Sequence, residues 1–224
     1  MSSAKTVGVV LAGSGVYDGS EIHEAVVTLL ALDRAKVKIE IMAPDVPQMH
    51  VINHLAGQPA AGAIRNVLTE AARIARGSIK DIAQIKAKML DALIFPGGFG
   101  LAKNLCDYAV KGAGCTVNTE VTRLIKEMHS AGKPLGFICI APVIAAKVLG
   151  NLHPVLTIGN DPQTIADIEK MGGRHQLHLV DEIAEDIVNK IISTPAYMLG
   201  PSIAYVSQGI EKLVARILEL TDVK

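Results

Sequence analysis

Pro134-Leu135-Gly136-Phe137-Ile138-Cys139-Ile140-Ala141-Pro142 runs from a short apolar strand directly into an apolar helix, with the cysteine at the change of direction. Continuous apolar runs of this kind belong to parallel strands buried on both faces, and the sharp turn lifts the sulfur out of the sheet. Pro142 suits the first turn of the helix, where no N–H donor is needed. The unpaired N–H groups and the positive end of that helix give Cys139 a reason to be a reactive thiolate. As a small hydrophobe it is equally at home in a core, and the segment alone leaves both readings open.

Outward from this turn, Thr6 to Ala12 and Ala92 to Phe95 are further buried runs, and Val37 to Met42 alternates as a strand closed by Pro44 and Pro47. Helical periods separate them. Ile22, Ala25, Val26, Leu29 and Leu30 mark one helix. Residues 62–76 are expected as an alanine-rich amphipathic helix through Ile64 and Val67 that stops at Gly77, and another helix runs from about Asn118 to Ser130. Pro154 to Ile158 is expected as a strand, Leu177–Val180 and Ile187–Ser193 as a small antiparallel edge addition, and Ile203 to Ile217 as the closing helix. Alternating strands and helices predict a doubly wound α/β domain with a mostly parallel sheet, a single domain over residues 1–224. Sites in such sheets form outside the carboxyl ends of the strands, so the Gly13 turn, the Gly97 turn and Cys139 should cluster.

Composition excludes several classes. With 22 basic and 22 acidic residues the formal charge is zero, which gives no footprint for nucleic acid. Aromatics are 3% of the chain and tryptophan is absent, so stacking platforms for bases are not expected either. No apolar run approaches the roughly 18 residues of a membrane span. The three cysteines are an odd number and no charged-then-apolar leader precedes the first strand, which leads to the expectation of a reducing cytoplasm.

The candidate site residues follow from position. Gly13-Ser14-Gly15 after the first strand invites a dinucleotide reading, but Asp18 stands where the third glycine of that fingerprint belongs. Glu21 and Glu24 lie in the first turns of the next helix. Capping explains Glu21, whereas Glu24 lies beside the apolar face and is free to point into a cleft at the strand ends. Pro96-Gly97-Gly98-Phe99-Gly100 offers backbone N–H groups without side chains in the way, a nest suited to an oxyanion or to an ordinary turn. His50 and His54 have helical metal spacing but no third ligand nearby, so no metal or other cofactor is expected. Cys106 and Cys115 fall in a linker, near the site or simply packed.

Pro96-Gly97-Gly98 with Lys103-Asn104-Leu105, followed by Gly136 to Pro142, resembles the PfpI/DJ-one superfamily, whose members share a class I glutamine amidotransferase-like, flavodoxin-like fold. Gly15 to Ala25, Val51 to Leu55 and Thr194 to Leu199 look like its ElbB branch, called ES-one in animals, and the likeness covers essentially the whole chain. The resemblance implies a glyoxalase, a lyase of the glyoxalase III type and of low activity, acting on methylglyoxal or glyoxal without glutathione. Carried over, Cys139 is the nucleophile, Glu24 its acid/base partner with Glu21 still open, and the Gly98 and Ile140 N–H groups, with Gly97 beside them, form the oxyanion site. The implied partners are a small reactive aldehyde and a second copy of the chain as a homodimer. Two departures matter. Ile140 follows the cysteine where proteases of the superfamily have histidine, and His175-Gln176-Leu177-His178 lacks the carboxylate of the amidotransferase His-x-Glu pair. The remaining alternative is a redox or stress sensor, or a binding protein, that uses Cys139 without turnover.

Overall fold

A computed structural model describes residues 5–222. In chain order its main elements are β1 (Thr6–Val10), α1 (Ile22–Arg34), β2 (Lys38–Ala43), α2 (Val67–Ile74), β3 (Lys80–Asp81), β4 (Ala92–Phe95), α3 (Thr119–Ser130), β5 (Leu135–Ile138), α4 (Pro142–Leu149), α5 (Pro162–Lys170), β6 (Ala184–Asp186), β7 (Ile191–Thr194) and α6 (Ile203–Leu220). The strands form one sheet in the order β6-β7-β5-β4-β1-β2-β3, parallel except where β6 runs against β7. The apolar runs explain the centre of that order. β4, β5 and β7 are buried at every residue, because α1, α2 and α6 cover one face of the sheet and α3 and α4 the other. Phe95 and Phe137 are register partners on β4 and β5 and stack at 5.1 Å between the strands that lead to the site.

Three local expectations are corrected. The helix expected over residues 62–76 covers only Val67–Ile74. The Asn66 side chain accepts the Thr69 N–H at 3.0 Å and starts the helix there, leaving Ile64 90% exposed outside it. Within the expected strand Pro154–Ile158, only Val155–Leu156 is extended, paired with Arg174–His175 away from the main sheet. The edge addition expected from Leu177–Val180 is built instead by Ala184–Asp186. Its partner Ile191–Thr194 is an interior strand, parallel to β5 and buried at every residue, Ser193 and Thr194 included.

Candidate active site

β5 ends at Ile138 and α4 begins at Pro142, so the chain must turn within three residues. Cys139 takes that turn with φ +62°, a left-handed conformation that costs a β-carbon-bearing residue roughly 1–2 kcal/mol. Neighbouring bonds hold it there. The Cys139 N–H donates to Thr194 O at the end of β7 (2.9 Å), and the Gly98 and Ile140 N–H groups both point at its sulfur. The residue is 7% exposed.

Glu24, on the first turn of α1, is fully buried beside this sulfur. Its Oε2 accepts the Gly97 N–H at 2.9 Å, its Oε1 accepts the Tyr197 N–H at 3.2 Å, and it is hydrogen-bonded to the Cys139 thiol. Burial, reinforced by the charge of Glu21, raises its pKa to about 8. Cys139 is pushed well above the ordinary thiol range by burial and then by Glu24, against the pull of the Gly98 and Ile140 donors. The thiolate expected from the helix terminus alone is therefore not the resting form. Desolvation outweighs two N–H groups, and the pair instead shares its protons. Glu21 is the N-cap of α1 and accepts the Glu24 N–H at 2.7 Å, so its carboxylate is committed to the helix end.

The glycines set these distances. The Gly97 N–H faces Glu24 rather than an open cleft, and a Cβ on Gly97 would fall 2.4 Å from Cys139 Cβ and 2.6 Å from Glu24 Oε2. The loop carrying Gly97 and Gly98 docks backbone to backbone against the loop after β1, through Glu21 N–H to Gly97 O (2.9 Å), Phe99 N–H to Val16 O (2.7 Å) and Gly100 N–H to Gly19 O (3.1 Å). Asn104 clamps the arrangement. Its amide donates to Ala12 O and Asp18 O at 2.9 Å each and accepts the Met49 N–H at 3.0 Å. The stretch from Tyr17 to Glu21 thus acts as structure: Ser20 Oγ accepts the Ala12 N–H, and Asp18 accepts the Ile52 N–H and lies 3.7 Å from His54.

The geometry brings together Cys139, Glu24, Gly97, Gly98 and Ile140 from the expected set, with Glu21 one step removed. It adds Tyr197, whose N–H is aimed at Glu24 because Ala196 before it has φ +43°. Tyr197 lies in the Thr194–Leu199 stretch that carries the family resemblance, where the sequence assigns it no role. The Tyr197 hydroxyl meets His23 Nδ1 at 2.8 Å. The late histidines have other partners, His175 accepting the Ile158 N–H and His178 facing Glu182.

No protein-family model matches the chain. It is 50% identical over 227 residues to the Homo sapiens glutamine amidotransferase-like class 1 domain-containing protein 3, mitochondrial, spanning 97% of this chain and 84% of that one. To the Rattus norvegicus ES1 protein homolog, mitochondrial, identity is 47% over 224 residues, spanning 96% and 84%. Among solved structures, an isoprenoid biosynthesis protein with an amidotransferase-like domain from Ehrlichia chaffeensis superposes with TM-score 0.90 at 38% identity, over 97% of this chain and 99% of that one. A ThiJ/PfpI domain protein from Brachyspira murdochii shares the fold at TM-score 0.59 and 13% identity, over 96% of each chain. The expected cytoplasmic location does not stand, since both relatives are named mitochondrial. Free cysteines report a reducing environment, not a particular compartment.

Proposed function

The chain belongs to the ES1 family of glutamine amidotransferase-like class 1 proteins, and from that premise we propose that it is a glutathione-independent glyoxalase-type enzyme, turning methylglyoxal or glyoxal into a 2-hydroxy acid. The observation that carries the reading is a nucleophile-elbow cysteine hydrogen-bonded to a buried carboxyl whose pKa is about 8. A carboxyl poised near working pH moves protons both ways, as an aldehyde isomerisation requires.

The ionised Glu24 accepts the Cys139 proton as sulfur adds to the aldehyde carbon, and returns it to the aldehyde oxygen to give a hemithioacetal. The Gly98 and Ile140 N–H groups, already aimed at the sulfur, are in reach of that oxygen. Glu24, again a carboxylate, takes the C1 proton to form an enediolate and delivers it to C2, while the C1 hydroxyl proton passes to the C2 oxygen, leaving a thioester. Water adds to the thioester carbon, the C–S bond breaks, and the hydroxy acid leaves with the thiol restored. No net oxidation occurs.

Amidotransferase chemistry draws little support, because no carboxylate stands two residues after His175. Redox sensing at Cys139 is also weakly supported, since a thiol held protonated by burial is a poor nucleophile toward peroxide. The test is lactate formation from methylglyoxal without glutathione, wild type beside Cys139→Ala. Product from wild type alone is the expected result; product from both, or from neither, overturns the reading.

A further inference from the structure

Cys106 and Cys115 take no part in the chemistry above, and both are free thiols. Cys106 bridges antiparallel to Val117, and the Asp107 N–H donates to Thr116 O at 3.2 Å. That register places Cys106 and Cys115 on one face as diagonal neighbours, and their sulfurs are hydrogen-bonded to each other. The Cys106 thiol is turned to Leu101 O at 3.7 Å. Cys115 lines a cleft of about 620 Å³ together with Thr119, Thr122, Lys126 and Lys147. The Lys147 ammonium, anchored on Ala113 O at 3.1 Å, stands on the Cys115 side of the pair. The hydrogen bond from Cys106 and, after it, the Lys147 charge bring Cys115 down to about 7, while that same bond and burial push Cys106 well up. Cys115, the member that lines the cleft beside Lys147, is thus placed to attack, and Cys106 next to it to follow.

We propose that Cys115 and Cys106 form a second reactive site, a dithiol that reduces a small hydroperoxide, with Cys115 attacking and Cys106 resolving. The Cys115 thiolate attacks one peroxide oxygen. An S–O bond forms, the O–O bond breaks, and the leaving alkoxide or hydroxide takes a proton, so Cys115 becomes a sulfenic acid. The Cys106 sulfur then attacks the Cys115 sulfur, and the displaced hydroxide leaves as water with the Cys106 proton. In sum, one peroxide and two thiols give one alcohol or water, one further water and one disulfide, sulfur losing the two electrons that the peroxide gains. The substrate must be small because Cys115 is only 2% exposed. Diagonal strand neighbours stand on the order of 7–8 Å apart, beyond the roughly 4.4–6.8 Å usual for a disulfide, so the bridge forms only with backbone movement and, being strained, is readily reduced.

The probe is hydrogen peroxide, one equivalent on the full chain, followed by mass mapping of every cysteine without reduction. The expected product is a Cys106–Cys115 disulfide with Cys139 still reduced. Cys115→Ser should slow oxidation of Cys106 at least tenfold, and Cys106→Ser should leave a sulfenic acid on Cys115 that a cyclic dione captures. Reduced Cys106 and Cys115 beside an oxidised Cys139 overturns the proposal, as does oxidation of Cys106 at the wild-type rate in Cys115→Ser. The wild-type map decides the matter even if a variant fails to fold.

Discussion

Cys139 and Cys115 are both buried, yet their surroundings push the two thiols in opposite directions. Around Cys139 the nearest ionisable group is a carboxyl, and burial together with that carboxyl holds the thiol protonated. Around Cys115 the neighbours are a second thiol and a lysine, and ionisation falls close to neutral pH. A strand-to-helix turn is therefore not what makes a cysteine reactive. The turn delivers Cys139 to Glu24, and the carboxyl decides when the thiol gives up its proton; Cys115 needs no such partner.

The sharpest way to break this contrast is to remove Cys139. Cys139→Ala should lower kcat/KM for methylglyoxal by roughly 10³-fold or more, while Cys115→Ala, outside the pair, should leave it within about threefold. Second in size is Glu24→Gln, expected to cost about 10²–10³-fold in lactate formation. Because both Glu24 oxygens accept backbone N–H groups, the glutamine amide must oppose one of those donors, so the assay is read beside circular dichroism.

Third comes stability against pH. Glu24 is raised from 4.5 to about 8 in the folded chain, so the native state holds a proton that the unfolded state has lost across that window. Its contribution is fully present below about pH 4.5 and is lost as pH rises through about 8, up to roughly 5 kcal/mol if nothing compensates. Urea unfolding at pH 5 and pH 8.5 should show the fall, and Glu24→Gln should flatten it. The same ionisation predicts turnover that climbs with pH toward about 8. A smaller effect is expected for Glu21→Gln, which removes the second cause of the Glu24 shift and should move that climb to lower pH by about one unit or less, read from the rate profile. The smallest is Tyr197→Phe, which keeps the N–H to Glu24 and loses only the hydroxyl bond to His23, about 0.5–1 kcal/mol in a denaturant titration.

How much of this was legible in the sequence depended on whether the cause was local. The elbow could be read because strand, cysteine and Pro142 are consecutive, and Glu24 because helix periodicity fixes the face it shares with Ala25 and Thr28. Capping by Glu21 followed from its place before the apolar period. The raised pKa of Cys139 could not be read, since a helix end is visible in a sequence and the walls that exclude water are not. Tyr197 escaped because its role rests on a backbone N–H aimed by a left-handed alanine, where glycine would have been the usual signal. The Cys106–Cys115 contact escaped because it exists only once the chain has reversed between them. Ile64 was misplaced because its spacing fits the α2 period although Asn66 starts the helix after it.

Asn104 touches the end of β1, the loop after it and Met49, three segments that the Ala12–Ser20, Gln48–Asp18 and Ile52–Asp18 hydrogen bonds also tie together. One amide with no free hydrogen-bonding atom on any of the three cannot let go of one without loosening the others. The amides of the two glycine loops and of Met49 are therefore expected to exchange with solvent in a single concerted opening, with one free energy, instead of fraying loop by loop, which hydrogen exchange checks.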